Sequence, residues 1–360
     1  MGSSDQPVHL STKVHTIQDG REFTKQFLRP CLPCSLPLLR RCQFHLKQQP
    51  LTPDAEICLV TCSAGSNMQD AEASNHEAVN TSNDPWLAAH IDLSNSGQTQ
   101  IWTFASWEPE FSQHPNPAAA VQASPQYPVY QTLFQALFQH LRKNHISKIG
   151  DSPPEQWQRL KAEGKIVSEP FSKSKVLFGT IAECLWPFLQ RDRISREDRP
   201  YLKYIVSSEA QHEPIQAPPT LHFAKMEEQH LQTMIDRTNI PRTLETLRQL
   251  PSIGLFDEDN RPVAWGLLGK DASLSSLHTE PEYRRRGLAE RVARRLLTEQ
   301  RQFYVDADSA NLSYEDRSGG IVYAHADVSD SNLASRKVME KIGGEVMWRV
   351  AWIEIDLGEG

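Results

Sequence analysis

The sequence predicts a mixed α/β protein in two domains. Three features lead there: the length, a cluster of prolines past the middle, and a β-β-β-α-β-α-β order of short elements beyond that cluster. At 360 residues the chain exceeds what one comfortable core serves and suits two. Pro214, Pro218 and Pro219 break any regular element near residues 212–219, because proline lacks an amide donor and fixes its own backbone. The expected division is therefore a first domain over 1–211, a linker over 212–220 and a second domain over 221–360.

In chain order, Phe23 to Leu39 reads as helix-like, with Phe23, Phe27, Leu28 and Leu32 followed by Leu36 and Leu38 around Pro33 and Pro37. Ile57 to Thr61 is β-branched enough for a strand. Residues 65–84 are polar, acidic and without period, as in a mobile surface loop. Ile101–Ala105 reads as a strand and Pro115–Pro128 as a loop. Tyr130–Leu141 is an amphipathic helix, with Leu133, Phe134, Leu137, Phe138 and Leu141 on one face. Val176–Leu189 repeats that pattern around Leu177, Ile181, Leu185 and Phe188, and Leu202–Val206 is a short strand.

Past the prolines, helical turns rich in Glu, Gln and His run from Leu221 to Ile240, and Arg242–Leu250 is a helix with Leu244, Leu247 and Leu250 on one face. Ser252–Phe256 and Val263–Leu268 flank a turn at Asp257–Asn260, as in a hairpin. Leu274–Thr279 is the third strand and Gly287–Phe303 a basic amphipathic helix. A fourth strand over 322–328, a helix over Asn332–Ile342 and a strand over Val346–Ile355 complete the order.

Composition narrows the function. Hydrophobic residues make up 39% and charged residues 23%, as in ordinary globular domains. A mean hydropathy of −0.52 and short apolar runs leave no candidate membrane span. A net charge of −7 argues against general nucleic-acid binding, which needs a basic face. The first residues, Met1 to Gln6, match no leader or lipidation pattern, and the expected location is the cytoplasm. The six cysteines are expected as reduced thiols there. Cys31 and Cys34 form a C-x-x-C, but no second pair follows at zinc-ribbon spacing, so no metal is expected.

The chemistry concentrates in Leu277–Ala289. A strand ends in Leu277, His278 and Thr279, a turn follows, then Arg284, Arg285 and Arg286, then Gly287, Leu288 and Ala289 at a helix start. A helix N-terminus presents unpaired amides and a partial positive charge, which suits a pyrophosphate. Glycine lets the backbone approach the phosphates, and the arginines add positive charge. Leu288, Val292 and Leu296 recur every four residues, so one face of this helix is buried.

Arg284-x-x-Gly287-x-Ala289 resembles the acetyl-CoA pyrophosphate signature of the GNAT superfamily of N-acyltransferases. About 45 residues on, the segment from Asn332 through Ser335 to Ile342-Gly343 is similar to the last helix of that superfamily, whose Asn contacts the cofactor. Leu32-Pro33-Cys34-Ser35-Leu36-Pro37-Leu38 is similar to a segment near the start of glycine N-acyltransferase-like proteins, and the hairpin strand Pro262-Val263-Ala264-Trp265 also resembles that branch. The resemblance implies a C-terminal GNAT fold preceded by a degenerate GNAT-like N-terminal domain. It also implies acyl transfer, from acetyl-CoA or another acyl-CoA as co-substrate, to a small amine or amino acid.

On that resemblance, strand Leu274–Thr279 splays from the next strand, and pantetheine enters the gap and pairs with the backbone of Leu277 and Thr279. The Leu277 amide then polarises the thioester carbonyl. Ser273 stands where many members carry a glutamate base, so Asp271 is the first candidate base and His278 the second, with a water relay as an alternative. Met339 stands where many members carry a tyrosine that protonates the leaving thiolate. Both departures favour the competing reading, a non-catalytic acyl-CoA-binding or scaffolding protein with the same fold.

Overall fold

The computed structural model describes residues 10–48, 55–64, 84–165, 167–198, 200–207, 215–238, 240–308 and 323–358. The loop expected over 65–84 falls outside these except for Asp84. The strands are β1 (Leu10–Thr16), β2 (Glu56–Ala64), β3 (Trp86–Ile91), β4 (Ile101–Ala105), β5 (Lys175–Ala182), β6 (Ile194–Glu197) and β7 (Tyr201–Ser207). After them come β8 (His222–Ala224), β9 (Ser252–Phe256), β10 (Pro262–Leu268), β11 (Leu274–Thr279), β12 (Tyr323–Ser329) and β13 (Gly344–Asp356).

They form two sheets. The larger runs β1-β2-β3-β4-β5-β13-β7-β12, with β6 also on β13, and the smaller runs β11-β10-β9-β8. The expected element order past the prolines is present, with β8 added at its start. The long β13 joins the two halves of the chain. Gly344–Val350 pairs antiparallel with β7, and Val350–Asp356 pairs antiparallel with β5.

Local chemistry explains most of the elements. Tyr127–Asn144 is the expected helix, extended by a turn at its start, and packs Leu133, Phe134, Leu137, Phe138 and Leu141 into the first core. Trp86, Trp102, Phe104 and Trp107 join them there. The helix Leu288–Asp308 buries Leu288, Val292 and Leu296 in a second core beneath β9 to β12. A third cluster gathers Met226, Leu231, Leu247 and Trp265 around Phe44, contributed by the first half of the chain.

Three expectations are corrected. The segment Pro115–Pro128, expected as loop, contains a helix over Pro117–Gln122, capped by Asn116 Oδ1 accepting from the Ala119 amide. Val176–Leu189 is not one helix. It is β5 followed by a 3-10 turn over Glu183–Phe188. Val176, Thr180 and Ile181 are β-branched, and β5 lies inside the larger sheet with neighbours on both sides. A continuous apolar run reads the same for a buried strand and a buried helix, and here pairing decides. The helix expected over Leu221–Ile240 is shorter, Glu228–Asp236, because His222–Ala224 pairs with β9 as an edge strand. The Cys31–Cys34 segment is a packed turn before the helix Leu36–Gln48. Cys34 is buried, and burial pushes its thiol up to about 12.

Candidate functional site

Strands β11 and β12 are parallel neighbours that touch at one bridge, Ser273 to His325, and then diverge. The cause lies partly in β11 itself. Its register against β10 shifts between Trp265 and Leu267, and Ser276 adopts a left-handed φ of 50°, a conformation non-glycine residues adopt at a cost. Ser276 and Leu277 fall inside this bulge, which bends the strand away from β12.

The opening holds a cavity of about 350 Å³ lined by Trp265, Ser276, Leu277, His278, Asn332, Ser335 and Met339, among others. Three buried polar atoms of β11, Ser276 Oγ, His278 Nε2 and Thr279 Oγ1, have no hydrogen-bond partner. Leaving such atoms unpaired is costly, and two of the residues, Ser276 and His278, line the cavity. His278 stacks on Trp265 with ring centroids 4.6 Å apart, and its Nε2 lies 3.6 Å from a Glu280 carboxylate oxygen. Burial holds its pKa below the usual histidine value against the opposing pull of Glu280, so the ring is neutral near pH 7.

At the end of β11 the chain turns through Arg284–Gly287 into the helix Leu288–Asp308. Arg285 and Gly287 are both left-handed, with φ of 64° and 73°. A Cβ built on Gly287 meets no atom within 4 Å, so the space over the helix start is open. Arg284 Nε donates to the Thr279 carbonyl at 3.1 Å, and the Arg286 guanidinium lies over the Tyr283 ring. None of the three arginines pairs with a carboxylate among the described residues. Leu288 is buried in the core and Ala289 is half-buried behind it. Open space, exposed cations and free helix-start amides fit a pyrophosphate. Asn332 caps the helix Leu333–Lys341 by accepting from the Ser335 amide at 3.1 Å, which fixes both residues at the cavity wall.

A second cavity of about 290 Å³ lies on the other side of the bridge, between the two halves of the chain. It shares Tyr201, Leu274, Ser275 and Asp327 with the first, so the two meet at the divergence. Its walls include Trp102 and Gln98 from the first half, and Arg242, Lys270, Asp271 and Ser273 from the second.

Beneath the junction lies a sealed polar network around Asp271 and His325, whose members Lys203, Thr180 and Asp327 sequence reading missed. Lys203 Nζ donates to Thr180 Oγ1 (2.7 Å) and His325 Nδ1 (3.2 Å) and pairs with Asp327 at 2.6 Å. His325 Nε2 donates to the Asp271 carbonyl at 2.8 Å, so the ring carries its proton on Nε2. Burial, reinforced by the Lys203 charge, pushes His325 down to about 4. The carboxyls of Asp271 and Asp327 and the His325 ring lie close enough to suggest a metal, but the Lys203 ammonium already supplies the positive charge. The available signal was a lysine inside the apolar strand Leu202–Val206; a charge there needs partners.

Asp271 is buried, and its Oδ1 accepts from Ser273 N (3.1 Å) and Ser273 Oγ (2.7 Å). Burial raises its pKa, but the charges of His325 and Lys203 together with the Ser273 hydrogen bonds outweigh that and hold it below the usual value. Asp271 and Ser273 thus face the second cavity, whereas His278 faces the first. Met339, buried at the wall of the first cavity, offers no proton.

The chain aligns with solved structures over most of its length. A Drosophila protein of 13% identity aligns over 95% of this chain and 98% of its own with a TM-score of 0.54. A GCN5-related N-acetyltransferase from Sphaerobacter thermophilus, also 13% identical, aligns over 98% and 96% with a TM-score of 0.46. No curated protein matches. Residues 252–303 match the FR47-like protein family and residues 8–204, more than half of the chain, match the acyl-CoA N-acyltransferase verG N-terminal domain. The fold is thus a mixed α/β arrangement with a GNAT-like C-terminal half, and the chain belongs to the family of the acyl-CoA N-acyltransferase verG N-terminal domain.

Proposed function

We propose that the protein transfers an acyl group from an acyl-CoA to the amine of a small molecule or amino acid. The observation that carries this reading is the divergence of β11 from β12 after one bridge, with a cavity in the gap that opens onto a second cavity. Acyl-CoA lies with its pyrophosphate against Arg284–Ala289 and its pantetheine along Leu277 and Thr279, near Asn332 and Ser335. Its thioester reaches the junction, where the Leu277 amide meets the carbonyl oxygen. The likeness of Leu32–Leu38 to glycine N-acyltransferase-like proteins belongs to the same reading, as does a division at 212–220 between a first half without the cofactor signature and a second half that carries it.

The acceptor amine enters from the second cavity. Its nitrogen bonds to the acyl carbon, the carbon–sulfur bond breaks, and the thiolate leaves as coenzyme A. The nitrogen becomes positive as it attacks, and the Asp271 carboxylate is placed to stabilise that charge and take the proton, directly or through Ser273 Oγ or water. His278 is the second candidate base, on the acyl side. With Met339 at the wall, the thiolate takes its proton from solvent, which a leaving group of thiol pKa near ~8.5 tolerates.

Calorimetric titration with acetyl-CoA and longer acyl-CoAs, followed by thiol release over a panel of amines, tests the proposal. Binding with amine-dependent release supports it. Ser273 and Met339 favour the alternative of an acyl-CoA-binding scaffold, and binding without release on any amine would establish that instead.

A further inference from the structure

The second cavity is lined by donors that lack acceptors. Arg242 Nη2 donates to Ser275 Oγ at 2.7 Å, but its Nε is sealed from water without a partner. Gln98 Nε2 is likewise buried and unpartnered. Lys270 donates to Asn95 Oδ1 at 2.9 Å. Among the described residues, no carboxylate lies within ion-pair distance of Arg242 or Lys270. Burial pushes Lys270 down to about 8 and Arg242 to about 10, which marks both charges as poorly compensated.

The charges that act on one another around this cavity have the same bias. Arg41 pairs with Asp92, and burial pushes Glu108, which Lys203 also acts on, up to about 8, so it is neutral near pH 7. Of the rest, three cations, Lys203, Arg242 and Lys270, face two carboxylates, Asp271 and Asp327. Arg196 and Asp198 at the rim cancel as a pair, and Glu245 acts on Lys270 only from an exposed, screened position. Burial holds the nearby His45 and His90 below the usual value, hence neutral. Orphaned donors and an excess positive charge call for a group that only accepts and carries one negative charge. The wall also carries three aromatic residues, Trp102, and Tyr201 set edge-on to Trp352 at 5.0 Å.

We propose that the acceptor is an amine bearing one carboxylate on an apolar or aromatic body, with Arg242, Lys270 and Gln98 holding the carboxylate. This rests on the acyl-transfer reading for the identity of the cavity as the acceptor site. The carboxylate sits against the first half of the chain, the ring lies among Trp102, Tyr201 and Trp352, and the amine points to the junction at Ser275 and Asp327.

The test uses the full-length protein saturated with coenzyme A, titrated calorimetrically with L-phenylalanine, its neutral amide and phenethylamine. Phenylalanine is expected to bind about 30-fold more tightly than either counterpart lacking the carboxylate, as for a hydrogen bond to a charged group. Arg242→Gln and Lys270→Gln are each expected to cut that preference to about threefold, and Arg242→Lys to keep most of it. Equal binding of the three ligands by the wild-type protein overturns the proposal, and so does a preference that survives both glutamine variants. Thiol release with acyl-CoA separates the two readings. Carboxylate-dependent binding without release keeps the pocket and removes acyl transfer to it, whereas release that ignores the carboxylate keeps acyl transfer and removes the pocket.

Discussion

The ammonium of Lys203 and the carboxylate of Asp327 lie 2.6 Å apart, with side-chain exposures of 0% and 5%. They sit on β7 and β12, paired strands from opposite sides of the proline cluster. Removing one partner leaves the other charge buried and uncompensated, at a cost of about 3–5 kcal/mol. Lys203→Met is expected to lose that much in urea unfolding. Adding Asp327→Leu should recover at least half of the loss, because the orphaned carboxylate is gone. An unchanged midpoint in the single variant would show that the pair does not hold the junction.

His325 links this network to pH. Its pKa in the fold is about 4, against an ordinary 6.5, so between those values the unfolded chain binds more protons than the folded one. The His325 contribution is therefore fully present above pH 6.5 and is lost as pH falls towards 4. His325→Gln is expected to flatten this part of the pH dependence of the melting temperature. His45, held at about 4 by burial, adds a contribution of the same sign that the variant retains. A slope identical to wild type would mean that His325 titrates normally.

Gly287 separates backbone strain from charge. At φ 73° with open space around its Cβ position, Gly287→Ala costs about 1–2 kcal/mol of stability through the left-handed backbone and leaves coenzyme A binding within a few fold. Gly287→Glu carries the same strain and sets a carboxylate where the pyrophosphate is proposed to lie, so affinity is expected to fall at least ~100-fold. Calorimetry on both variants decides, and unchanged affinity in the glutamate variant would remove the site from this loop.

Asp271→Asn keeps an oxygen that accepts from Ser273 and removes the charge. Turnover is expected to fall ~100-fold, within the usual contribution of a positioned acid or base, while acyl-CoA affinity stays within about twofold. Equal turnover in steady-state kinetics across neutral pH would exclude Asp271 as the base.

The sequence carried the cradle openly because its chemistry is local. A glycine, three arginines and a four-residue apolar period lie within one turn and one helix, and the structure has the turn and the helix there. The β11 boundaries were equally plain, since an apolar run between turns defines them. The second cavity was hidden because Gln98, Trp102, Arg242 and Lys270 come together only through tertiary packing. Lys203 lies inside the strand read at Leu202–Val206, and nothing local marks it, since its partners Thr180 and Asp327 are distant in the chain. The misreading of β5 as helix has the same origin: its identity rests on pairing with β4 and with the distant last strand, β13.

That last strand sets how the protein can be taken apart. Because β13 ladders to β5 along one part and to β7 along another, the two halves of the chain share one sheet, and the spacing of the two cavities is set by it. A cut near the proline cluster would not free two independent pieces. Separately expressed fragments ending and beginning there should each be poorly folded, yet reassemble on mixing through interleaved strands.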